Sequence, residues 1–279
     1  GNMDNIRSFA LSSIETGLNG LLLTLWDDDS PHFELYYRGI IAFSNDTWSG
    51  DHLSKSELKK AYRQREFSHL VAEDSFAFID SLEKPVGEWK NILLNGNKRN
   101  YLMEMEKREE DGLIALPDSR NPGKWSIDYQ QKLTMAKKMI QSTTKIGEKI
   151  EHMQKLAKRN SYTLEVYQRV NEVVAFTPKI LLALERFDKA SNDEERMTEK
   201  AKIIQLKSDF KELRNKFEKT YAKTRVIHKP KDYLLDQDHH HHLANQLKAF
   251  DWQFYSELLM FDKIDKQIQW QRNIIDGNQ

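Results

Sequence analysis

The sequence predicts a mainly α protein, a long antiparallel helical bundle preceded by a single α-β-α piece. Three observations carry that expectation. Apolar residues recur in alternating three- and four-residue steps over four segments after residue 126, the stepping of packed helices. A run near the start, Leu21-Leu22-Leu23-Thr24-Leu25-Trp26, breaks the helical period and is too short for a helix. Between the two lie Asn95-Gly96, Asp111-Gly112, Leu116-Pro117 and Pro122-Gly123, turn chemistry that predicts residues 95–125 as mostly loop with one or two helical turns at 99–108.

At the start of the chain, Ile6, Phe9, Ala10 and Ile14 stand at helical spacing in residues 5–16, and Gly17 and Gly20 mark the end of that helix. The run from Leu21 to Trp26 is apolar on both faces and predicts a buried parallel strand. An acidic turn, Asp27-Asp28-Asp29-Ser30-Pro31, leads into Phe33, Tyr36, Tyr37, Ile40, Ile41, Ser44 and Trp48, an amphipathic helix of period near 3.6. Helix, strand, loop and helix make one α/β unit, yet one parallel strand cannot form a sheet alone. The pattern turns helical from Ser54 onward, which places a domain boundary near residue 50 and separates 1–50 from 51–279.

Ser54 and Glu57 have capping-box spacing ahead of Leu58, Tyr62 and Phe67. A second short helix carries Phe76, Ile79 and Leu82 until Pro85 interrupts it. Residues 126–159 then set Ala136, Ile140, Thr143, Gly147, Ile150, Met153 and Ala157 on one stripe. Residues 162–190 align Val170, Val173, Thr177, Leu181, Leu184 and Phe187, with a kink expected at Pro178. Asn192 caps the third long helix with Glu195 completing a box, and Ile203, Leu206, Phe210, Leu213, Phe217 and Tyr221 form its stripe. The fourth runs from Leu243 through Phe250, Phe254, Leu258 and Phe261 to Ile268.

The chain has 279 residues, with 43 basic side chains balanced by 43 acidic ones, so no net basic field recruits nucleic acid or an anionic membrane surface. No apolar run approaches the ~20 residues that span a bilayer. A chain of this length buries roughly 75 % of its unfolded surface, enough for a core without covalent staples. The absence of cysteine removes disulfides, thiolate nucleophiles and cysteine metal sites and leaves the compartment open. The opening Gly1-Asn2-Met3 resembles a tag-cleavage remnant ahead of a segment from a longer reading frame.

Most chemical signatures are missing. There is no Gly-rich phosphate loop, H-E-x-x-H, G-x-S-x-G or EF-hand loop. His152 directly follows Glu151, which does not supply the Glu-x-x-His of a di-iron bundle. His239-His240-His241-His242 could ligate a transition metal through imidazoles that share a helix face, but such a run at a helix start is more often a solvated first turn, and no metal site is expected. No cofactor is expected. The turn at Asp27, Asp28 and Asp29 is the most specific feature, because three adjacent carboxylates repel one another. They call for a metal, a basic partner or polyol hydroxyls, or else serve as an acidic cap for the helix opening at Pro31. An aromatic ring beside a carboxylate suits sugar binding: the ring packs on the C–H face while the carboxylate accepts from hydroxyls.

The stretch from Gly20 through Trp26 to Ser30, with a helix after it ending Ala42-Phe43-Ser44-Asn45-Asp46-Thr47-Trp48, resembles the last strand and helix of the catalytic (β/α)8 barrel of family 20 glycoside hydrolases, the β-N-acetylhexosaminidases. It is most similar to the bacterial branch in which a W-G-D-D type turn ends strand eight and an all-helical C-terminal domain comes next. The segment from Thr220 to Arg225 and on through His228-Lys229-Pro230 resembles the joint between the last long helices of that domain. The resemblance implies that Trp26 walls the pocket for the N-acetylhexosamine ring and that Asp28 binds sugar hydroxyls. Asp27 stands where the branch usually has Gly and would add a charge beside the pocket.

The same resemblance implies substrate-assisted hydrolysis, in which an Asp-Glu pair on strand four orients the acetamido group and supplies the proton. That strand would precede residue 1, and Asp193-Glu194 sits in a helix cap, so the chain is expected to be catalytically incomplete alone. The implied partners are a glycan containing N-acetylhexosamine and the missing upstream barrel domain. Self-association through residues 20–26 is expected where those neighbours are absent. The parent of such a segment is typically secreted or periplasmic. An all-helical protein-protein interaction module accounts equally for residues 126–270 and leaves the apolar run and its acidic turn unexplained.

Overall fold

The computed structural model describes residues 2–24, 33–48, 52–72, 78–89, 91–95, 112–224 and 254–276. Helices dominate these residues: α1 (Asn2–Glu15), a 3-10 turn (Phe33–Tyr36), α2 (Tyr37–Trp48), α3 (Lys55–Glu66), α4 (Phe78–Trp89), α5 (Lys124–Asp128), α6 (Gln130–Leu156), α7 (Ser161–Asp188), α8 (Asp193–Tyr221) and α9 (Tyr255–Asp276). Among the described residues the β structure amounts to one isolated antiparallel bridge, Leu94 with Leu113. The chain forms two compact units, the first of residues 1–84 and 143–171 and the second of 85–142 and 172–279. Residues 1–50 therefore share a unit with 51–84 and 143–171, and α4, α6 and α7 each supply residues to both units.

In the first unit α1 packs on α2 and α2 on α3. Met3, Ala42 and Leu58 form a small core, with Ile41 and Leu53 against it. Gly39 allows the close approach, since a Cβ there would stand 2.7 Å from Ile6 Cδ1. The capping box of α3 is present: Ser54 Oγ accepts from the Glu57 amide at 3.3 Å while the Glu57 carboxylate accepts from the Ser54 amide at 2.8 Å. The far end of α3 is closed by the turn between α6 and α7. Lys158 and Arg159 amides donate to the Phe67 carbonyl, and the Asn160 side chain donates to Glu66 O at 3.0 Å. Asn160 turns the chain at φ 49, a left-handed conformation that Asn tolerates.

The buried strand expected at 20–26 is not found over residues 20–24, which are irregular. Leu22 is 84 % exposed and Leu18 57 %. A parallel strand exists only through neighbours that pair with both edges, and the described residues offer none. The expected α-β-α piece is thus two packed helices flanking an irregular apolar stretch.

In the second unit residue pairings establish the antiparallel run of the long helices. Arg186 with Glu199 and Phe176 with Phe210 set α7 against α8, and Phe210 with Phe261 and Phe217 with Phe254 set α8 against α9. The expected stripes supply this core, with Val173, Thr177, Leu181, Ile203, Phe210, Phe217, Phe254 and Phe261 all buried. Asn171, whose side chain donates to Thr143 O at 2.9 Å, and Lys137, paired with Glu185, give the same antiparallel sense for α6 and α7 within their respective units.

Three local expectations are corrected. The segment 126–159 is divided at Tyr129, where φ −105 and ψ 18 end α5 and the hydroxyl accepts from the Ala115 amide. Pro85 lies inside α4 rather than ending it, and the helix is held by buried Phe78, Ile79 and Leu82 before the proline and Val86 and Trp89 after it. Asn192 caps α8 by accepting from the Glu195 amide at 2.9 Å, but the Glu195 carboxylate accepts from Ser191 N rather than from the cap residue. Phe76, the turns expected at 99–108 and the start of the fourth long helix at Leu243 lie outside the described residues.

Candidate functional site

Trp26, Asp27 and Asp28 lie outside the described residues, as do His239 to His242. The structure describes what borders the first group on each side. On the N-terminal side α1 is locked to α2 by an ion pair, Arg7 Nε to Asp46 Oδ2 at 2.9 Å, with Asp46 fully buried. Arg7 also donates to Leu53 O, and Asn45 donates to the other Asp46 oxygen at 3.1 Å. Two helices bracketing a loop are fixed here by a charge pair withdrawn from water, where geometry is held more tightly than at an exposed pair.

On the C-terminal side the chain re-enters at the 3-10 turn, where Glu34 is fully buried and its carbonyl accepts from the Tyr167 hydroxyl at 2.9 Å. Four residues on, Arg38 is 3 % exposed and forks to Asp80 at 2.7 Å and Glu83 at 2.9 Å. Lys59 also binds Asp80. Burial raises the Asp80 pKa, but the hydrogen bond from Lys59 and the charge and hydrogen bond of Arg38 outweigh it and hold the carboxyl below its usual range.

Burial pushes the Tyr62 phenol up to about 12 and the Tyr167 phenol well above its ordinary value. A phenol whose pKa is higher folded than unfolded contributes stability below pH ~10, lost as pH rises toward the folded value. Titration followed at 295 nm is therefore expected to show a delayed class of tyrosines that ionise near pH 12 or together with unfolding. Ionisation of every tyrosine near pH 10 with the fold intact would contradict this.

Sequence reading misses this network because its members, Glu34, Arg38, Lys59, Asp80 and Tyr167, are far apart in the chain. The face that α2 buries runs through Arg38, Gly39, Ala42 and Asp46, and the apolar stripe through Ile40, Ser44 and Trp48 includes neither of the two charged residues among them. The described residues elsewhere carry little that could act chemically. Asp193 pairs with Arg196 in the first turn of α8, as befits a cap. A cavity of 40 Å³ lined by Leu116, Pro117, Leu184, Phe187, Ile203 and Ile264 is far smaller than the ~300 Å³ of a small-molecule site. The open polar groove of 570 Å³ at the α7–α8 turn contains Glu185 and Glu199, but each carboxylate is already held by two cations. No group of three His, Asp or Glu among the described residues could hold a metal, and no described helix is long and apolar enough to cross a membrane.

The class these observations define is a mainly helical, bundle-like protein whose first compact unit packs α1 on α2. Comparison with family models, curated proteins and solved structures finds no match.

Proposed function

We propose that this chain is the C-terminal part of a β-N-acetylhexosaminidase-like glycoside hydrolase, in which Trp26 and Asp28, with Asp27 beside them, contact an N-acetylhexosamine ring and the helices pack on the barrel. The observation that supports this reading is the exposed apolar stretch at Leu18 and Leu22, set between two helices that pack on each other. In a (β/α)8 barrel the chain between two adjacent outer helices is an inner strand, and its apolar side chains are covered only by neighbouring strands. Isolated from such neighbours, the stretch exposes leucines that a self-contained helical protein would bury.

The test is expression of the complete gene product and assay with an aryl N-acetyl-β-glucosaminide. Hydrolysis is expected for the complete product and not for residues 1–279 alone. Trp26→Ala is expected to lower kcat/KM by about 100-fold, the ~3 kcal/mol typical of losing a central aromatic contact. A reading frame that begins near residue 1, or a complete product without hydrolysis, would remove the proposal. The competing reading as a helical interaction module draws on Met197 and Ile204, both exposed seven residues apart on one face of α8, and becomes the working answer in that event.

A further inference from the structure

Independently of the glycosidase reading, we propose that the outer face of α8 is a docking surface for a second copy of this chain, joined as an antiparallel helix pair. α8 turns Ile203, Phe210 and Phe217 into the core of the second unit, where all three are buried. On another face Glu194, Met197, Ala201, Ile204, Ser208 and Lys211 follow one another in steps of three and four, the spacing of a seam between two helices, and all six are exposed. Met197 is 63 % exposed and Ile204 47 %. The stripe runs for about 25 Å of helix.

Charge identifies the occupant. Glu194 stands at one end of the stripe and Lys211 at the other. α8 as a whole has the same sense, with Asp193, Glu194, Glu195 and Glu199 near its start and Lys207, Lys211, Lys216 and Lys219 in its second half. Asp193, Glu195 and Glu199 are engaged within the chain, by Arg196, by the Ser191 amide, and by Arg186 with Lys202. Glu194 and Lys211 enter no ion pair among the described residues. A two-fold axis between Ala201 and Ile204 sets Glu194 against the partner's Lys211, and the symmetry makes that pair twice. A parallel arrangement would set Glu194 against Glu194 and Lys211 against Lys211, which like charges oppose.

Size agrees with charge. The same axis sets Met197 against the partner's Ser208 and Ile204 against the partner's Ala201, so each large apolar side chain meets a small one and the helices approach closely. A surface that carries both halves of a complementary pattern fits its own copy. One helix face makes an interface at the small end of the range, below ~1,200 Å² in total, so the pair forms and separates with concentration.

Sedimentation velocity of the 279-residue chain, from micromolar to sub-millimolar concentration, tests this. The sedimentation coefficient is expected to rise toward that of a dimer. Ile204→Glu changes an exposed residue, so the thermal midpoint should stay near wild type while association weakens by about tenfold or more. Glu194→Lys is expected to weaken association about fivefold, and adding Lys211→Glu to restore it to within about twofold. The chain has no cysteine, so introduced thiols report the register. Two copies of residue 197 would lie about 16 Å apart along the pair, beyond the ~7 Å reach of a disulfide. Met197→Cys mixed with Ser208→Cys is expected to cross-link under mild oxidation, and Met197→Cys alone is not. A chain that stays monomeric throughout, a dimer indifferent to Ile204→Glu and to the charge exchange, or ready cross-linking of Met197→Cys with itself would overturn the proposal. Loss of association in Leu22→Glu but not in Ile204→Glu would place the contact at the exposed leucines near the start of the chain and overturn it likewise.

Discussion

Glu257→Ala is expected to destabilise the second unit by about 3–5 kcal/mol, more than any other single truncation at a polar side chain of this unit. Glu257 is fully buried, and its Oε1 accepts from the Trp89 indole at 2.7 Å and from the Thr177 hydroxyl at 2.6 Å. Its Oε2 accepts from Ser256 at 2.9 Å. Truncation leaves the indole N–H and the Thr177 hydroxyl without their acceptor in a site withdrawn from water, and each orphaned group costs about 1–3 kcal/mol. The vacated volume adds to that.

Glu257→Gln retains an acceptor oxygen at nearly the same place, and is expected to cost about 1 kcal/mol. Urea unfolding followed by circular dichroism checks both values. A double-mutant cycle with Trp89→Phe separates the hydrogen bond from the packing, because the phenyl ring presents no donor to strand. The cost of Glu257→Ala should fall by at least ~1 kcal/mol in that background. A loss below ~1 kcal/mol in the native background would mean that water reaches the site and that Glu257 does not organise the core.

Glu257 also illustrates where sequence reading stops. It lies in a segment legible as helical from Phe254, Leu258 and Phe261, and the stripe arithmetic finds buried positions on α8 and one buried face of α7, but not Val166, Tyr167, Val174, Phe176 and Ile180, which α7 also buries. That arithmetic treats acidic residues as solvent-facing, so a carboxylate buried against an indole 168 positions away leaves no periodic trace. The same blindness hides the Arg38 fork and the Tyr167 contact. Caps are legible because their geometry is local: Ser54 caps with its full box, and Asn192 caps without Glu195 completing one.

Two departures from expectation share a different cause. Pro85 ordinarily signals a helix break, yet a missing N–H and a steric clash cost ~3 kcal/mol, and burial of large side chains on both sides of it outweighs that. The run at Leu21 suggests a strand by its apolarity, but strand formation is a property of the neighbours, and 20–24 have none among the described residues. Apolarity there tells what the segment is suited to meet, and the irregular, partly exposed residues 20–24 have no strand partner among the described residues.

Arg7→Met is expected to destabilise the first unit by about 3 kcal/mol, the second large effect. The methionine replaces the aliphatic stem, so the loss is electrostatic: Asp46 remains fully buried with Asn45 as its only described hydrogen-bond donor, and an uncompensated buried carboxylate costs about 3–5 kcal/mol. The contrast lies close by. Lys55 pairs with Asp4 at 2.7 Å and also joins α1 to the chain beyond α2, yet both groups are nearly half exposed. Lys55→Ala is therefore expected to cost less than ~1 kcal/mol and to lose even that in high salt.

Adding Asp46→Asn to Arg7→Met removes the stranded charge and should recover about half of the loss, whereas Asp46→Asn alone leaves Arg7 a neutral acceptor and costs less than Arg7→Met. This order of the three variants distinguishes a buried charge from lost packing, which the second substitution could not repair. Urea unfolding with and without ~1 M NaCl measures it. Equal costs for Arg7→Met and Lys55→Ala would mean that α1 is held to α2 by Met3, Ile6 and Ala10 alone. The bracket around residues 16–32 would then rest on apolar contact and not on the ion pair.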